Sequence, residues 1–388
     1  MASRISTIER SATVALLDQV HALRARGVEV LDLNGGEPDF ATADHIAAEA
    51  GAALREGFTH YTPSRGLPAL RAAVSRKLAE DNGIEADPAA GVIITPSAKH
   101  ALSISLMAVL DPGDELIVPT PSWVSYQAMA RLAGARPVAA ELSADDGFRI
   151  TRRLLERQLS ARTKAVLVNT PNNPTGRVLS REEAGTVAAF AVEHDLFVIA
   201  DEIYEKIRYD GAEHVSLATF PGCAERTLTV NGFSKGYAMT GWRLGYVAGA
   251  AEVIGEVLKV QEHTVGCSAS FVQRGGVAAL TSPQDFVQEM VDEYAVRREL
   301  IVQGLNSIPG IVCSPPEGAF YAFADIRGTG FADSAEFASW ALRETGVALT
   351  PGSAFGEGGE GHVRLSFATS REVVEKATTR LAAALAQR

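Results

Sequence analysis

The run Asn231-Gly-Phe-Ser-Lys235-Gly-Tyr-Ala-Met-Thr-Gly-Trp-Arg243-Leu-Gly245-Tyr246 decides how the rest of the chain is read. It follows Thr227-Leu-Thr-Val230, a β-branched and apolar run that reads as a buried strand. Gly232 breaks that strand and leaves Ser234 and Lys235 on its exit loop. A second strand is expected from Trp242 to Val247. A lysine on the rim of a parallel sheet, eight residues before an arginine, suits a cofactor with an aldehyde and a phosphate. The amine would form a Schiff base and the guanidinium would hold the phosphate oxygens in a fork. Most lysines and arginines are solvated surface charges, so partners elsewhere in the chain must decide.

Working outward, apolar strands alternate with helices. Val92–Thr95, Glu115–Val118, Arg136–Ala140, Lys164–Val168, Leu196–Ala200, Leu228–Val230 and Leu244–Ala248 read as strands. His45–Arg55, Leu67–Asn82, Ser97–Leu110, Thr151–Leu159 and Arg181–His194 read as helices. That alternation predicts an α/β fold, a three-layer αβα arrangement around a mainly parallel sheet. Ligands on such sheets bind beyond the carboxyl ends of the strands, where Asn173, Asp201 and Lys235 fall. After Pro283 the texture changes. A long helix over Phe286–Leu305 precedes strands at Gly318–Phe323, Val347–Thr350 and Val363–Phe367, with helices at Ser334–Glu344 and Ser370–Leu385. This predicts a smaller α+β domain. The expected division is 1–42 as an N-terminal arm and part of the small domain, 43–282 as the large domain, and 283–388 as the small domain.

The bulk composition excludes several classes. With 388 residues, 46% hydrophobic and 21% charged, the chain is an ordinary globular protein with room for more than one core. Its net charge of −11 and lack of a basic patch speak against nucleic acid or an anionic membrane surface as partner. The cysteines (Cys223, Cys267, Cys313) are scattered, with no CxxC pair, so neither a disulfide framework nor a structural zinc site is expected. No metal is assigned. The start lacks the apolar core of a signal peptide, and no apolar run reaches about 18 residues. A soluble cytoplasmic protein is expected.

Asp201 closes a strand that is otherwise apolar, a costly place for a carboxylate unless it meets a cation. A helix cap or structural ion pair would serve, but so would a protonated pyridine nitrogen, and an acidic partner there makes the ring an electron sink. Tyr204, three residues on, could hydrogen-bond a phenolate oxygen of the same ring. Asn173, in the turn Asn172-Asn-Pro-Thr-Gly176, could donate to a ring oxygen. Trp123 could stack on a flat cofactor. Ser97 is a plausible helix N-cap, so the amides of Ala98 and Lys99 form an anion site. Asn34-Gly-Gly-Glu-Pro-Asp39 is a tight turn that brings backbone close to something. Arg364, inside the apolar Val363-Arg-Leu-Ser, needs an anion, and a bidentate carboxylate matches it best.

Together these residues resemble the fold-type I pyridoxal-phosphate enzymes, specifically class I/II aminotransferases of the bacterial aspartate-aminotransferase-like group. The marks run along nearly the whole chain. They are Ser11-Ala-Thr-Val14, Gly36-Glu-Pro-Asp-Phe40, Tyr61, Asp111-Pro-Gly-Asp-Glu115, Trp123-Val-Ser-Tyr126, Pro171-Asn-Asn-Pro-Thr-Gly176, Asp201-Glu-Ile-Tyr204, Ser234-Lys235 with Met239-Thr-Gly-Trp-Arg243, and His362-Val-Arg-Leu-Ser366. The resemblance implies that Lys235 carries the pyridoxal 5'-phosphate as an aldimine and that Asp201 pairs with the pyridinium. Tyr204 and Asn173 would contact the ring oxygen and Trp123 the ring face. Ser97, the Ala98 and Lys99 amides, Ser234 and Arg243 would take the phosphate. Tyr61 would reach the phosphate of a neighbouring subunit, which implies a homodimer. Arg364 and the Gly36 backbone would grip the substrate carboxylate.

That resemblance implies an enzyme moving an amino group between an L-amino acid and a 2-oxo acid by a ping-pong route. Freed Lys235 would act as the base that moves the α-proton. There are departures. Gly232 holds no hydroxyl where many relatives place a phosphate-binding serine, and Glu9-Arg10 stands where relatives acting on acidic substrates often show Lys-Pro. His263–Ser270 lacks the usual Ser/Thr-rich, proline-containing pattern, and Arg274-Gly275-Gly276 is unusual for a helix. These leave open an alternative outcome of the same carbanion: elimination, replacement, C–C bond formation or oxidation. A regulator on the same fold would need a DNA-binding module, for which the chain has no room. A nicotinamide enzyme lacks its GxGxxG.

Overall fold

A computed structural model describes residues 3–6, 8, 10 and 12–388. Glu9 and Ser11, two of the positions singled out in the sequence, lie outside the described residues. The first half of the chain comprises α1 (Ser3–Ser6), α2 (Ala12–Ala25), β1 (Leu31–Asp32), α3 (Asp44–Arg55), α4 (Pro68–Lys77), β2 (Val92–Thr95), α5 (Ala98–Val109), β3 (Glu115–Thr120), α6 (Ser125–Leu132), β4 (Arg136–Glu141), α7 (Arg152–Gln158), β5 (Thr163–Asn169) and α8 (Arg181–Glu193). The second comprises β6 (Phe197–Asp201), β7 (Thr227–Gly232), β8 (Gly245–Ala248), α9 (Ala251–Thr264), α10 (Ser270–Thr281), α11 (Asp285–Asn306), β9 (Tyr321–Asp325), α12 (Ser334–Trp340), β10 (Val347–Ala348), β11 (Thr350–Pro351), β12 (His362–Ser366) and α13 (Arg371–Leu385).

Local chemistry starts and stops these elements. Ser180 and Glu183 close a reciprocal capping box on α8, and Pro68 opens α4 at a position where its missing N–H costs nothing. Ser97, Thr151 and Ser370 cap α5, α7 and α13 with their hydroxyls.

Seven strands form one sheet in the order β2-β8-β7-β6-β5-β3-β4. Five of them pair in parallel, β4 with β3, β3 with β5, β5 with β6 and β6 with β7. Strand β8 runs antiparallel to both β7 and β2. Side chains alternate between the faces, as a period of two demands. Leu116, Val118, Leu167, Ile199, Leu228 and Val230 pack with α5, α6 and α9 residues on one side. Ile117, Val166, Val168, Val198 and Ala200 pack with α7 and α8 residues on the other. Each such buried Val, Leu or Ile side chain contributes roughly 1.5–3 kcal/mol. A further core joins Leu31 and Leu33 to Tyr294, Phe320, Phe337, Val347, Leu365 and Phe367, with Tyr204 and Tyr209 reaching into it from the segment after β6. Around that core lie the antiparallel sheet β11-β12-β9 and the parallel pair β1-β10. No helix among the described residues is long and apolar enough to cross a membrane.

The expected strand Val347–Thr350 is divided between β10, which pairs with β1, and β11, which pairs with β12. Two other boundaries differ from the expectation for a backbone reason. Strand β8 begins at Gly245, not Trp242, because Arg243 takes a left-handed conformation (φ 54°) that a strand cannot hold. Strand β9 begins at Tyr321, not Gly318, because Ala319 is also left-handed (φ 57°). The helix after Leu67 ends in a wider turn at Leu78–Asn82, closed by left-handed Gly83.

The glycines of α10 have a packing reason that the sequence did not show. A Cβ on Gly275 would lie 2.7 Å from the Trp242 ring, and one on Gly276 2.5 Å from Leu244 Cδ2. Their absence lets α10 press on the loop that carries Arg243. Gly232 is explained likewise: a Cβ there would meet the Leu244 carbonyl oxygen at 2.9 Å.

Candidate active site

One rim of the large sheet gathers almost every singled-out residue. It carries the carboxyl ends of β2, β3, β5, β6 and β7, and the amino end of the reversed β8. From these leave Ser97–Lys99, Trp123, Asn173, Asp201, Ser234–Lys235 and, entering β8, Arg243. Asp201 is itself the last residue of β6, with Asn169 and Val230 as its register partners.

Asp201 is 3% exposed. Its Oδ2 accepts from the Tyr126 hydroxyl at 2.7 Å and its Oδ1 from the Ile203 amide at 3.2 Å. Burial raises its carboxyl to about 6, against the lowering pull of the Tyr126 hydrogen bond. Lys235 is half-buried, and its ammonium donates to the Gly36 carbonyl. Displaced hydration lowers its amine to about 8, with Glu37 opposing that shift and Arg364 and Arg243 adding to it. The Lys235 ammonium lies 5.8 Å from the Tyr204 ring centre and 5.7 Å from that of Phe320. The Tyr204 hydroxyl shares a 2.9 Å hydrogen bond with Tyr321.

Arg364, on β12, comes to the rim from the small sheet and is 2% exposed. It donates to Asn173 Oδ1 at 2.9 Å, the Asn34 carbonyl at 2.8 Å and Thr350 Oγ1 at 3.2 Å. The Tyr321 ring centre lies 4.4 Å from its guanidinium carbon and that of Phe355 5.0 Å. Its Nε has no partner, and no carboxylate of the described residues pairs with it. A buried guanidinium held only by neutral groups is poised for an anion. Among the described residues the Asn173 side-chain nitrogen donates to no other group and remains a free donor, while the backbone N–H of Asn173 donates to Asn169 Oδ1 at 3.0 Å.

At the other end, Ser97 caps α5 by accepting from His100 N at 3.3 Å, in a strained backbone conformation (φ 119°). Such conformations cost of order 1–3 kcal/mol and persist where the surroundings impose them. Gly245 makes room here, since a Cβ on it would fall 2.5 Å from the Ser97 carbonyl carbon. The first amides of α5, Ala98 and Lys99, have no acceptor inside the helix and open where the chain enters β8, with Arg243 close enough to act on the Lys99 amine. Among the described residues the Arg243 guanidinium donates only to the Thr240 carbonyl, at 2.9 Å. The Lys99 ammonium sits 4.8 Å from the Trp123 ring centre, and Trp123 packs edge-on to Tyr126. Burial and Arg243 lower the Lys99 amine. Tyr61 stands apart, 97% exposed on its loop.

The donor set thus suits a molecule with a doubly charged phosphate at the α5 end and a basic ring nitrogen at Asp201. Among the described residues, Lys99, Lys235, Arg243 and Arg364 form no ion pair, and Asp201 has no cation in contact.

The family model of aminotransferase class I and II matches residues 28–381. The chain belongs to the class I and II aminotransferases. An aspartate aminotransferase of Musicola paradisiaca is 48% identical over 100% of this aminotransferase and 97% of its own length. One from Pyrococcus abyssi is 42% identical over 98% and 97%. Among solved structures, the Thermus thermophilus aspartate aminotransferase with maleate superposes with a TM-score of 0.94 at 40% identity, covering 99% of each chain. The Pyrococcus horikoshii aromatic aminotransferase does so with a TM-score of 0.90 at 44% identity, over 95% and 99%. This aminotransferase has the fold-type I architecture and depends on pyridoxal phosphate.

Four further residues of the site were not assigned from sequence. Tyr126 lay in a quoted motif, three residues after Trp123, yet nothing local showed that its hydroxyl meets Asp201. Tyr321, Thr350 and Asn34 come from loops and strands far apart in the chain. Only the packing of the small sheet against the rim unites them.

Proposed function

We propose that this aminotransferase uses Lys235 to hold pyridoxal phosphate and to move the substrate α-proton, with L-aspartate as first donor and a 2-oxo acid as acceptor. The observation that carries the reading is a buried, cation-free Asp201 on the same rim as four cations that lack carboxylate partners. The names of the aspartate-aminotransferase relatives put aspartate first. The cofactor supplies an aldehyde carbon that receives the amino group and a ring that draws electrons from the reacting carbon.

The residues divide the work. Asp201 keeps a proton on the pyridine nitrogen, and Tyr126 and the Ile203 amide hold its carboxylate in place. Asn173, through its free amide nitrogen, and Tyr204 donate to the ring oxygen. Ser97, the Ala98 and Lys99 amides, Ser234 and Arg243 hold the phosphate, and Trp123 covers the ring. Arg364 binds the substrate carboxylate in a fork. The Gly36 carbonyl accepts from Lys235, so only its N–H is left to assist Arg364. With an amine at about 8, Lys235 has a substantial neutral fraction near pH 7.5 and can take the α-proton at Nζ.

A homodimer completes the reading, with Tyr61 of one copy donating to the phosphate held by the other. Its near-complete exposure in one chain supports this. A cytoplasmic location belongs to the same proposal. So does the division into 1–42, 43–282 and 283–388, supported by the core that joins Leu31 and Leu33 to residues beyond 283.

The test is a half-reaction. L-Aspartate alone should convert the bound cofactor from its aldehyde to its amine absorbance, and an added oxo acid should restore it. Product formed without that exchange would instead support elimination or replacement chemistry, which the relatives' names do not favour. A panel with phenylalanine separates aspartate from aromatic preference.

A further inference from the structure

Immediately after Asp201, Glu202 enters a buried cluster that the reaction as described does not use. Glu202 is 0% exposed, and the His214 side chain 4%. His214 Nε2 lies 3.0 Å from Glu202 Oε2, which also accepts from Ser216 Oγ at 2.8 Å and Asn82 Nδ2 at 3.0 Å. Asn82 Nδ2 reaches Glu205 Oε2 at 2.7 Å as well. The Lys77 ammonium pairs with Glu205 and donates to Asn82 Oδ1 at 2.6 Å. Glu202 Oε1 and His214 Nδ1 are buried without a partner.

Glu202, Glu205 and His214 bring their ligating atoms within 4.8 Å of one another, a spacing that could hold a metal ion. Lys77 argues otherwise, because its ammonium already lies against Glu205 and the Asn82 amide bridges both carboxylates. The charges decide what the cluster does. Two carboxylates face one ammonium, so the cluster is neutral with His214 protonated and carries one negative charge without it. Burial pushes the His214 imidazole down, but Glu202 and then Glu205 more than offset this and hold it above its ordinary value. Nε2 faces a carboxylate and carries a hydrogen in both states, so the titrating proton enters and leaves at Nδ1. The other groups facing the cluster are the Tyr237 and Tyr246 phenols, and the Asp81–Lys206 pair at 2.6 Å borders it.

We propose that the Glu202–His214 pair tunes Asp201: by binding or releasing one proton, His214 sets the charge beside Asp201 and so the grip of Asp201 on the proton at the cofactor's ring nitrogen. Glu202 and His214 are positioning residues in this sense and touch neither cofactor nor substrate. The proposal rests on the functional reading above.

The test uses the purified holoenzyme and the pH dependence of its cofactor absorbance, with Glu202→Gln and His214→Gln as variants. Removing the positive charge of His214 should raise the absorbance midpoint by about half a pH unit or more. Glu202→Gln removes the carboxylate charge and with it the proton held on His214, so the cluster stays neutral and the midpoint should stay near that of the wild type. A purely structural role would lower thermal stability in both without separating their midpoints. Should His214→Gln fail to fold, the wild-type enzyme decides: a change in cofactor absorbance that tracks the His214 imidazole NMR titration supports the proposal, and its absence overturns it. A coloured His214→Gln enzyme with the wild-type midpoint, or both variants shifted alike, would overturn the proposal and leave the functional reading standing. A wild type that takes up no chromophore would overturn both.

Discussion

Asp201 carries the sharpest conflict between stability and function at the scale of a single residue. Its carboxyl is raised from 3.8 to about 6, so in the cofactor-free protein its ionisation at pH 7 opposes folding. A raised acid destabilises progressively as pH climbs from the unfolded value through the folded one. Asp201→Asn should therefore stabilise the cofactor-free protein at pH 7 by about 1–3 kcal/mol, the upper end being the full shift and the lower allowing for a weakened Tyr126 contact. The same variant should lose at least about 10²-fold in kcat. Thermal melts and half-reaction rates check both; a destabilised but active variant would contradict the assignment.

Asp201 and Lys235 together set a pH window for cofactor uptake. Below about 6, Asp201 must first lose a proton, so affinity should fall by up to about tenfold per pH unit. Capture by the amine requires neutral Lys235, so its rate should rise with pH and level off above about 8. Stopped-flow uptake by apoenzyme between pH 5 and 9 measures both limbs. Lys235, Asp201 and Arg364 could be singled out in the sequence because each is a polar group in an apolar or glycine-rich frame, and Asn173 because its turn directly follows a strand. Tyr126 and Tyr321 were not, since a tyrosine in an apolar run is consistent with plain core packing.

Among elements, the approach of β8 to the start of α5 positions the phosphate end. It depends on Gly245, which pairs with both Thr95 and Gly232. Gly245→Ala should push the α5 start away, costing about 1–3 kcal/mol of stability and weakening pyridoxal phosphate binding more than tenfold. Calorimetry and equilibrium titration of the apoenzyme read the two effects, and unaltered affinity would show that the close approach is dispensable. Apolar runs and cap residues made the strands and most helices legible. The reversal of β8 was not, because a short buried strand has the same pattern in either direction. The glycines of α10 read as a departure for another reason: the Trp242 and Leu244 side chains they admit are distant in sequence.

At the scale of the whole molecule, the proposed site needs a second copy of the chain. Tyr61 projects almost fully exposed from the loop before α4, an unusual state for a large aromatic side chain. Sedimentation should give twice the 41.0 kDa chain mass. Tyr61→Phe should leave that mass unchanged while weakening cofactor binding roughly tenfold, the loss of one hydrogen bond to a charged group. A monomer with full activity would sink the shared-site reading. The change of texture after Pro283 was legible in the sequence, whereas the packing of Leu31 and Leu33 with residues beyond 283 became precise only through the pairing of β1 with β10.

The central claim is a covalent bond between one ε-amine and the cofactor. Borohydride reduction of the holoenzyme followed by peptide mapping tests it most directly. One pyridoxyl group per chain, on the peptide containing Lys235, is the expected result; a label on another lysine, or none at all, would contradict the account.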